Sequence, residues 1–183
     1  EASHEPYWLA QPGRPAARPA LDGITTADLV VVGAGLSGLW TAVRAKQRRP
    51  DLDVVLLEGG RIAQSASGRN GGFVASSITH GYSNGIERWP DEFTRLYQLG
   101  VDNLAAVEAT IGEFGIDCGY LRTGELDVAT AEHQVAHLQE HARSAAAHGV
   151  ELEFLTADQV QAHVASPLYR AGIFDPQVAI VDP

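Results

Sequence analysis

The chain has 183 residues and a formal charge of −10, from 13 basic and 23 acidic side chains. That acidic excess argues against nucleic acid or an anionic membrane as a partner. No apolar run approaches the ~20 residues that cross a bilayer, and the first residues lack the hydrophobic core of a signal peptide. Cys118 is the only cysteine, so no internal disulfide forms and a reducing, cytoplasmic compartment is expected. With no resolving thiol nearby, it reads as a structural residue.

Residues 1–26 read as an N-terminal arm, extended over 11–20, where Pro, Arg and Ala dominate. A nucleotide-binding unit follows. The apolar run Leu29-Val30-Val31-Val32 predicts a strand, Gly33-Ala34-Gly35-Leu36-Ser37-Gly38 a glycine turn into a helix, and Val54-Val55-Leu56-Leu57 a second strand that ends on Glu58. This is the G-x-G-x-x-G fingerprint in the setting its chemistry requires. Gly33 permits the tight turn out of the strand, Gly35 lacks the Cβ that would block a pyrophosphate, and Gly38 lets the helix lie close on the sheet. The phosphates are expected on the helix N-terminus, beside Leu36 and Ser37, where orphan N–H groups and the positive end of the macrodipole favour an anion. Glu58, twenty positions after Gly38, falls where a carboxylate accepts both hydroxyls of an adenosine ribose. No basic residue replaces it to meet a 2′-phosphate, which indicates an adenine dinucleotide without that group.

The next segment, Gly59-Gly60-Arg61-Ile62-Ala63-Gln64-Ser65-Ala66-Ser67-Gly68-Arg69-Asn70-Gly71-Gly72, is too rich in small and polar residues for a core element. Consecutive glycines give backbone N–H groups room to converge on an oxygen-bearing ligand, so it reads as a second ligand-contacting loop. Residues 76–90 read as a connecting segment; within it His80, Tyr82 and Trp89 are candidates for ligand contact, with packing anchors as the plainer reading. From 91 to about 112, Phe93, Leu96, Tyr97, Leu104, Val107 and Ile111 recur at three- and four-residue steps and predict an amphipathic helix. Residues 120–129 alternate around Thr123-Gly124 and predict two strands joined by a hairpin-like turn. Arg122 is there a candidate for a substrate carboxylate, against the plainer reading of a solvated strand residue.

A second long helix is expected from 131 to about 148, ended by Gly149. Its His133, His137 and His141 stand at steps of four, the geometry of a surface metal site. The apolar stripe through Val135, Leu138, Ala142 and Ala145 puts them on or beside the wet face, and no metal is assigned. Thr156-Ala157-Asp158-Gln159 spells a capping box for a short helix to about 164, and residues 171–174 and 178–181 read as strands around an Asp-Pro turn. Asp182-Pro183 is a helix-start signal with no helix after it. Only one β-α-β unit is visible, so the chain reads as the N-terminal portion of a longer polypeptide, stopping in mid-architecture.

The glycine-rich loop resembles the D-amino-acid-oxidase-like superfamily of FAD enzymes, most closely the gamma-glutamylputrescine oxidoreductase type. There a Ser-Gly-Arg-Asn-Gly-Gly run, here Ser67 to Gly72, follows the ribose-binding acid and lies along the flavin. Ser3-His4-Glu5-Pro6-Tyr7-Trp8-Leu9-Ala10, Arg18-Pro19-Ala20-Leu21 and Ala27-Asp28 are similar to that family's entry to its first strand. The likeness is dense over residues 3–73 and diffuse beyond. Ser65 departs from the glycine of many relatives, with only a local backbone adjustment expected. The loop also lacks a histidine that some relatives bond covalently to flavin, which implies noncovalent FAD.

The resemblance implies an α/β fold: a Rossmann-like FAD-binding domain over 27–90, then a helical segment and the start of an α+β substrate domain over 91–183. It implies oxidation of a small amine or amino acid, with the C-terminal remainder of the polypeptide as the other half of the architecture and catalytic residues unassigned. An NAD-linked dehydrogenase and a noncatalytic FAD-binding subunit are the alternatives. The first is expected to continue in regular β-α-β repeats, and the second to keep the cofactor loops without turning over an amine.

Overall fold

The computed structural model describes residues 5–14 and 16–183. Residues 1–4, which carry part of the expected arm and of the family-like entry segment, and Pro15 lie outside the described residues. The chain divides into two compact units, one running to Gly71 and one over Gly72–Asp182.

The first unit is built on a parallel pair of strands, β1 (Leu29–Val32) and β2 (Val54–Leu57), joined by α1 (Leu36–Arg48). β-Branched Val at successive positions favours the extended chain. The register Leu29↔Val54 to Val32↔Leu57 is pinned at its entry, where Asp53 N–H donates to Asp28 Oδ2 at 2.9 Å and Asp28 N–H to the Asp53 carbonyl at 3.1 Å. Lys46 closes the far end of α1, its Nζ donating to the Pro50 and Leu52 carbonyls at 2.6 and 2.9 Å. A cation there also suits the negative end of the helix dipole. Residues 5–14 carry one 3₁₀ turn, Tyr7–Ala10, whose Leu9 is buried.

The second unit contains β3 (Phe73–Ala75), α2 (Tyr82–Arg88), α3 (Phe93–Phe114), β4 (Glu125–Ala129), α4 (Glu132–Ala147), β5 (Glu153–Thr156), α5 (Ala157–His163), β6 (Ala171–Asp175) and β7 (Val178–Ile180). An antiparallel sheet in the order β4-β6-β5 is packed by α4 and α5, while β3 pairs antiparallel with β7. Phe93, Ala145 and Val150 form a core with Tyr82, Ile86, Tyr97 and Leu152 against it.

Both long helices fall within two residues of their expected bounds, because their ends carry local signals. Gly115, at φ 58°, closes α3 as its N–H and that of Ile116 return to the Gly112 and Ile111 carbonyls. Gln134 Oε1 accepts from Thr130 and Ala131 N–H at 2.8 and 2.9 Å to start α4. At α5, Gln159 N–H donates to Thr156 Oγ1 and Thr156 N–H to Gln159 Oε1, the expected reciprocal cap.

Two expectations are corrected, and the strands expected around Asp175-Pro176 form. Residues 120–129 hold one strand, not a hairpin: β4 begins after Gly124, pairs with β6, and leaves Leu121 in a single bridge to Ile180. Gly124, at φ 75° with Phe174 2.3 Å from where a Cβ would stand, turns the chain between those two pairings. The segment 76–90 is not simply a connection, since α2 forms in it with Gly81 N–H held by Ser77 Oγ at 2.7 Å. The strands on either side of Asp175-Pro176 both form, yet in different sheets, so β3, unforeseen, becomes the partner of β7. Through β3 and α2, residues 73–90 pack with the second unit. Among the described residues no helix is long and apolar enough to cross a membrane.

Candidate nucleotide-binding site

At the C-terminal end of β1 the glycine turn adopts the geometry its spacing demands. Gly33, at φ 97°, is in the left-handed region, and its N–H donates to the Leu57 carbonyl at 2.7 Å. A Cβ on Gly38 would stand 1.9 Å from the Gly33 carbonyl oxygen, so the first turn of α1 lies against the strand end only because that atom is absent. Gly35 has ordinary extended backbone, φ −80° and ψ 179°; its open side faces the cleft, where an added Cβ would reach within 3.0 Å of Ser67 Oγ.

That cleft, about 490 Å³, is lined by Val32, Gly33, Gly35, Leu36, Ser37, Gly38, Ala66, Ser67 and Asn70. Fingerprint and second loop therefore meet at one cleft. Leu36 N–H donates to Ser67 Oγ at 2.9 Å, which shows the helix's leading amide aimed at an oxygen across the cleft. Asn70 Nδ2 in turn donates to the Ser67 carbonyl at 2.7 Å and shapes the loop around that serine. Ala63 N–H ties the loop back to the fingerprint through the Ala34 carbonyl at 3.0 Å.

Glu58 stands beside the cleft rather than in its lining. Its Oε2 accepts from Ala34 N–H at 2.8 Å and its Oε1 from Gly60 N–H at 2.9 Å, with Gly59 as the flexible step between. Donation to the ionised form, from Ala34 first and then Gly60, holds this carboxyl below the usual range and keeps it an acceptor.

The remaining loop residues divide by task. Ser65 has a negative φ of −87°, so it does not occupy the left-handed region that would call for glycine. Gly68 is buried, with Leu9 and the Ala63 carbonyl where a Cβ would stand. Arg61 and Arg69 face away from the cleft into a second cavity of about 360 Å³, lined also by Glu5, Pro6, Leu9, Arg14 and Gln64. Arg69 Nε donates to the Gln64 carbonyl at 3.2 Å. Gly71 and Gly72 lie outside the cleft lining; Gly72, at φ 78°, accepts from Val181 N–H within the second unit.

Sequence reasoning missed Val32, 84% exposed at the rim. The signal was available, because the residue before the first glycine ends the strand at the ligand side of the sheet.

In the second unit the candidate residues take different places. Tyr82 is a packing anchor, its hydroxyl bonded to Ser144 Oγ at 2.7 Å and His148 Nδ1 at 2.8 Å and its ring edge-on to Phe93; His80 and Trp89 are exposed. Arg122 is engaged by Glu108 at 3.2 Å, the Pro176 carbonyl and Gln177. Of the α4 histidines, His141 turns inward against Tyr82 and burial lowers its pKa, while His133 and His137 stay exposed. Among the described residues no group of three His, Cys, Asp or Glu has metal-holding geometry.

Residues 28–183 match the family model described as DAO, FAD dependent oxidoreductase. The chain belongs to that family. It is 33% identical over 175 residues to the gamma-glutamylputrescine oxidoreductase of Escherichia coli, covering 92% of this chain and 39% of that relative. It is 26% identical over 164 residues to the probable oxidoreductase OrdL of Haemophilus influenzae, covering 86% and 36%. The chain thus spans about two fifths of these relatives' length. Among solved structures, glycine oxidase from Geobacillus kaustophilus superposes with a TM-score of 0.67 at 20% identity, over 85% of this chain and 40% of that one, a likeness of fold.

The family's cofactor is FAD, and the site suits it. A Cβ-free floor at Gly35 leaves space for a pyrophosphate, the amide of Leu36 is already directed at an oxygen, and Glu58 is an ionised acceptor one residue past β2.

Proposed function

We propose that these residues are the FAD-holding N-terminal portion of an oxidoreductase acting on an amine or amino acid. The observation that carries this reading is the cleft between the Gly33–Gly38 turn and Ser67, with Glu58 fixed beside it through Ala34 and Gly60. Bound FAD supplies a two-electron acceptor for the hydride on the carbon that bears the amine. This chain's residues do the holding. The N-terminus of α1, with Leu36, Ser37 and Gly38, balances the pyrophosphate charge; Glu58 accepts from the ribose hydroxyls; Ser67 and Asn70 form the opposite wall. No histidine occurs among residues 59–72, where some members of the family that the loop resembles attach flavin, and this favours noncovalent attachment.

In the reaction the substrate amine is neutral, its α-carbon gives up hydride and its nitrogen a proton, and the resulting imine takes up water to give a carbonyl compound and ammonia or an amine. In this reading the cofactor part runs over residues 27–90, although 73–90 pack with the second unit; residues 91–183 begin the substrate-bearing part, and groups that define the substrate lie in the C-terminal remainder. The lone Cys118 and the acidic charge suit a cytoplasmic enzyme.

The test uses the full-length polypeptide, purified and made anaerobic. A flavin spectrum that bleaches on addition of a primary or secondary amine, such as a gamma-glutamylated polyamine or an amino acid, is the expected result. A spectrum that stays oxidised across a broad amine panel, yet bleaches rapidly with NADH, overturns the amine reading.

A further inference from the structure

The N-terminal turn Tyr7–Ala10 plays no part in the nucleotide reading, yet four contacts from residues 5–14 end on the loop beside the cleft. Trp8 Nε1 donates to the Asn70 carbonyl at 2.8 Å. Leu9 is 8% exposed and fills the space over Gly68, where a Cβ would lie 2.8 Å from its Cδ2. Glu5 stands 3.8 Å from Arg61, and Arg14 donates to the Ile62 carbonyl. On its other side the same loop presents Ala66, Ser67 and Asn70 to the cleft.

We propose that this turn is a clamp, with Trp8 and Leu9 as positioning residues that hold residues 66–70 in the shape that receives FAD. The inference rests on the FAD reading above. Its physical ground is composition. Ala66, Ser67, Gly68 and Asn70 have little side-chain surface with which to pack the run, and its one long side chain, Arg69, lines the second cavity, so ordering it at the moment of binding would draw backbone entropy from the affinity. Leu9 supplies the missing apolar anchor from outside the loop, and only a glycine at position 68 admits it. Trp8 fixes the carbonyl of Asn70, whose side chain in turn fixes Ser67.

The test uses full-length apoprotein, with FAD affinity and amide hydrogen exchange measured side by side. Trp8→Phe keeps an aromatic ring, though a smaller one than the indole, and removes the donor; FAD is expected to bind about three- to tenfold more weakly, with faster exchange at residues 66–70 before FAD is added. Leu9→Ala should do both more strongly, and Leu9→Met, which restores the volume, should recover most of the loss. Unchanged exchange in Trp8→Phe overturns the clamp. A lowered melting temperature with unchanged FAD affinity also overturns it, because that is the behaviour of a purely structural contact. Should the wild type fail to bind FAD while exchange still quickens in Trp8→Phe, the clamp stands and the FAD reading falls.

Discussion

At the scale of single residues, Glu58 and Gly35 make separable predictions. Glu58→Gln replaces an acceptor-only carboxylate with a group that must turn an NH2 toward either the Ala34 or the Gly60 amide, while losing charge-assisted bonds to the ribose. FAD affinity is expected to fall about ten- to hundredfold, measured by titrating the full-length apoprotein; undiminished flavin retention on dialysis would sink the assignment. The lowered pKa of Glu58 gives this contact a direction in pH. Its stabilisation is present above the unfolded carboxylate range and is lost as pH falls through the lowered folded value. The Ala34 and Gly60 amide shifts should therefore titrate together below the usual carboxylate range, and neither should titrate in Glu58→Gln. Gly35→Val should abolish FAD binding while the apoprotein still folds, since φ −80° suits valine and the one close neighbour of the new Cβ is Ser67 Oγ, at 3.0 Å on the cleft wall. Arg69 lines the second cavity, and its Nε donates to the Gln64 carbonyl. Arg69→Ala is accordingly expected to loosen FAD rather than slow anaerobic flavin reduction at saturating cofactor, and His137→Ala to do neither.

At the scale of elements, the seating of α1 against β1 depends on Gly38. Gly38→Ala places a methyl 1.9 Å from the Gly33 carbonyl, so helix and turn must separate. Loss of FAD binding together with a lower melting temperature is expected, which distinguishes this variant from Gly35→Val. In the antiparallel sheet, Glu125 pairs with Asp175 across β4 and β6. Burial foremost, with Asp127 adding repulsion against the Gln177 amide, raises the pKa of Asp175. Its contribution to stability is therefore fully present below the unfolded carboxylate range and is lost as pH rises through the raised folded value. Asp175→Asn keeps an acceptor for Gln177 N–H and removes the charge. It should raise the melting temperature at neutral pH by about 1–3 °C and flatten its pH dependence; a lower value at neutral pH would show that the charge is stabilising.

At the scale of the whole molecule, a parallel sheet is ordinarily covered on both faces, yet here Val30 and Val32 of β1 are 51% and 84% exposed. In the second unit Phe73 is 72% exposed. A polypeptide of these 183 residues expressed alone is expected to self-associate and to hold FAD weakly, as read by light scattering and flavin fluorescence. A monodisperse monomer with stoichiometric flavin and a cooperative thermal transition would show those surfaces to be self-sufficient.

What the sequence determined by itself was local. The strand, glycine triplet, helix and carboxylate of residues 28–58 are read from contacts a few positions apart or from one short crossover, and the caps at Thr156 and Gly149 are set within a single turn. Composition also marked the Ser67 segment as no core element, whereas its meeting with the glycine turn is a tertiary contact. Tertiary structure decided which strands pair. The alternation of residues 120–129 does not reveal that Gly124 divides two pairings, nor that the strands flanking Asp175-Pro176 enter different sheets, since each backbone edge is satisfied by a partner far along the chain. It also decided the side-chain directions within the second loop, turning Ser67 and Asn70 to the cleft and Arg61 and Arg69 to the opposite side. Small residues impose no periodicity from which a facing could be read. Their orientation is set by what packs behind them, and here that is Leu9 and Trp8.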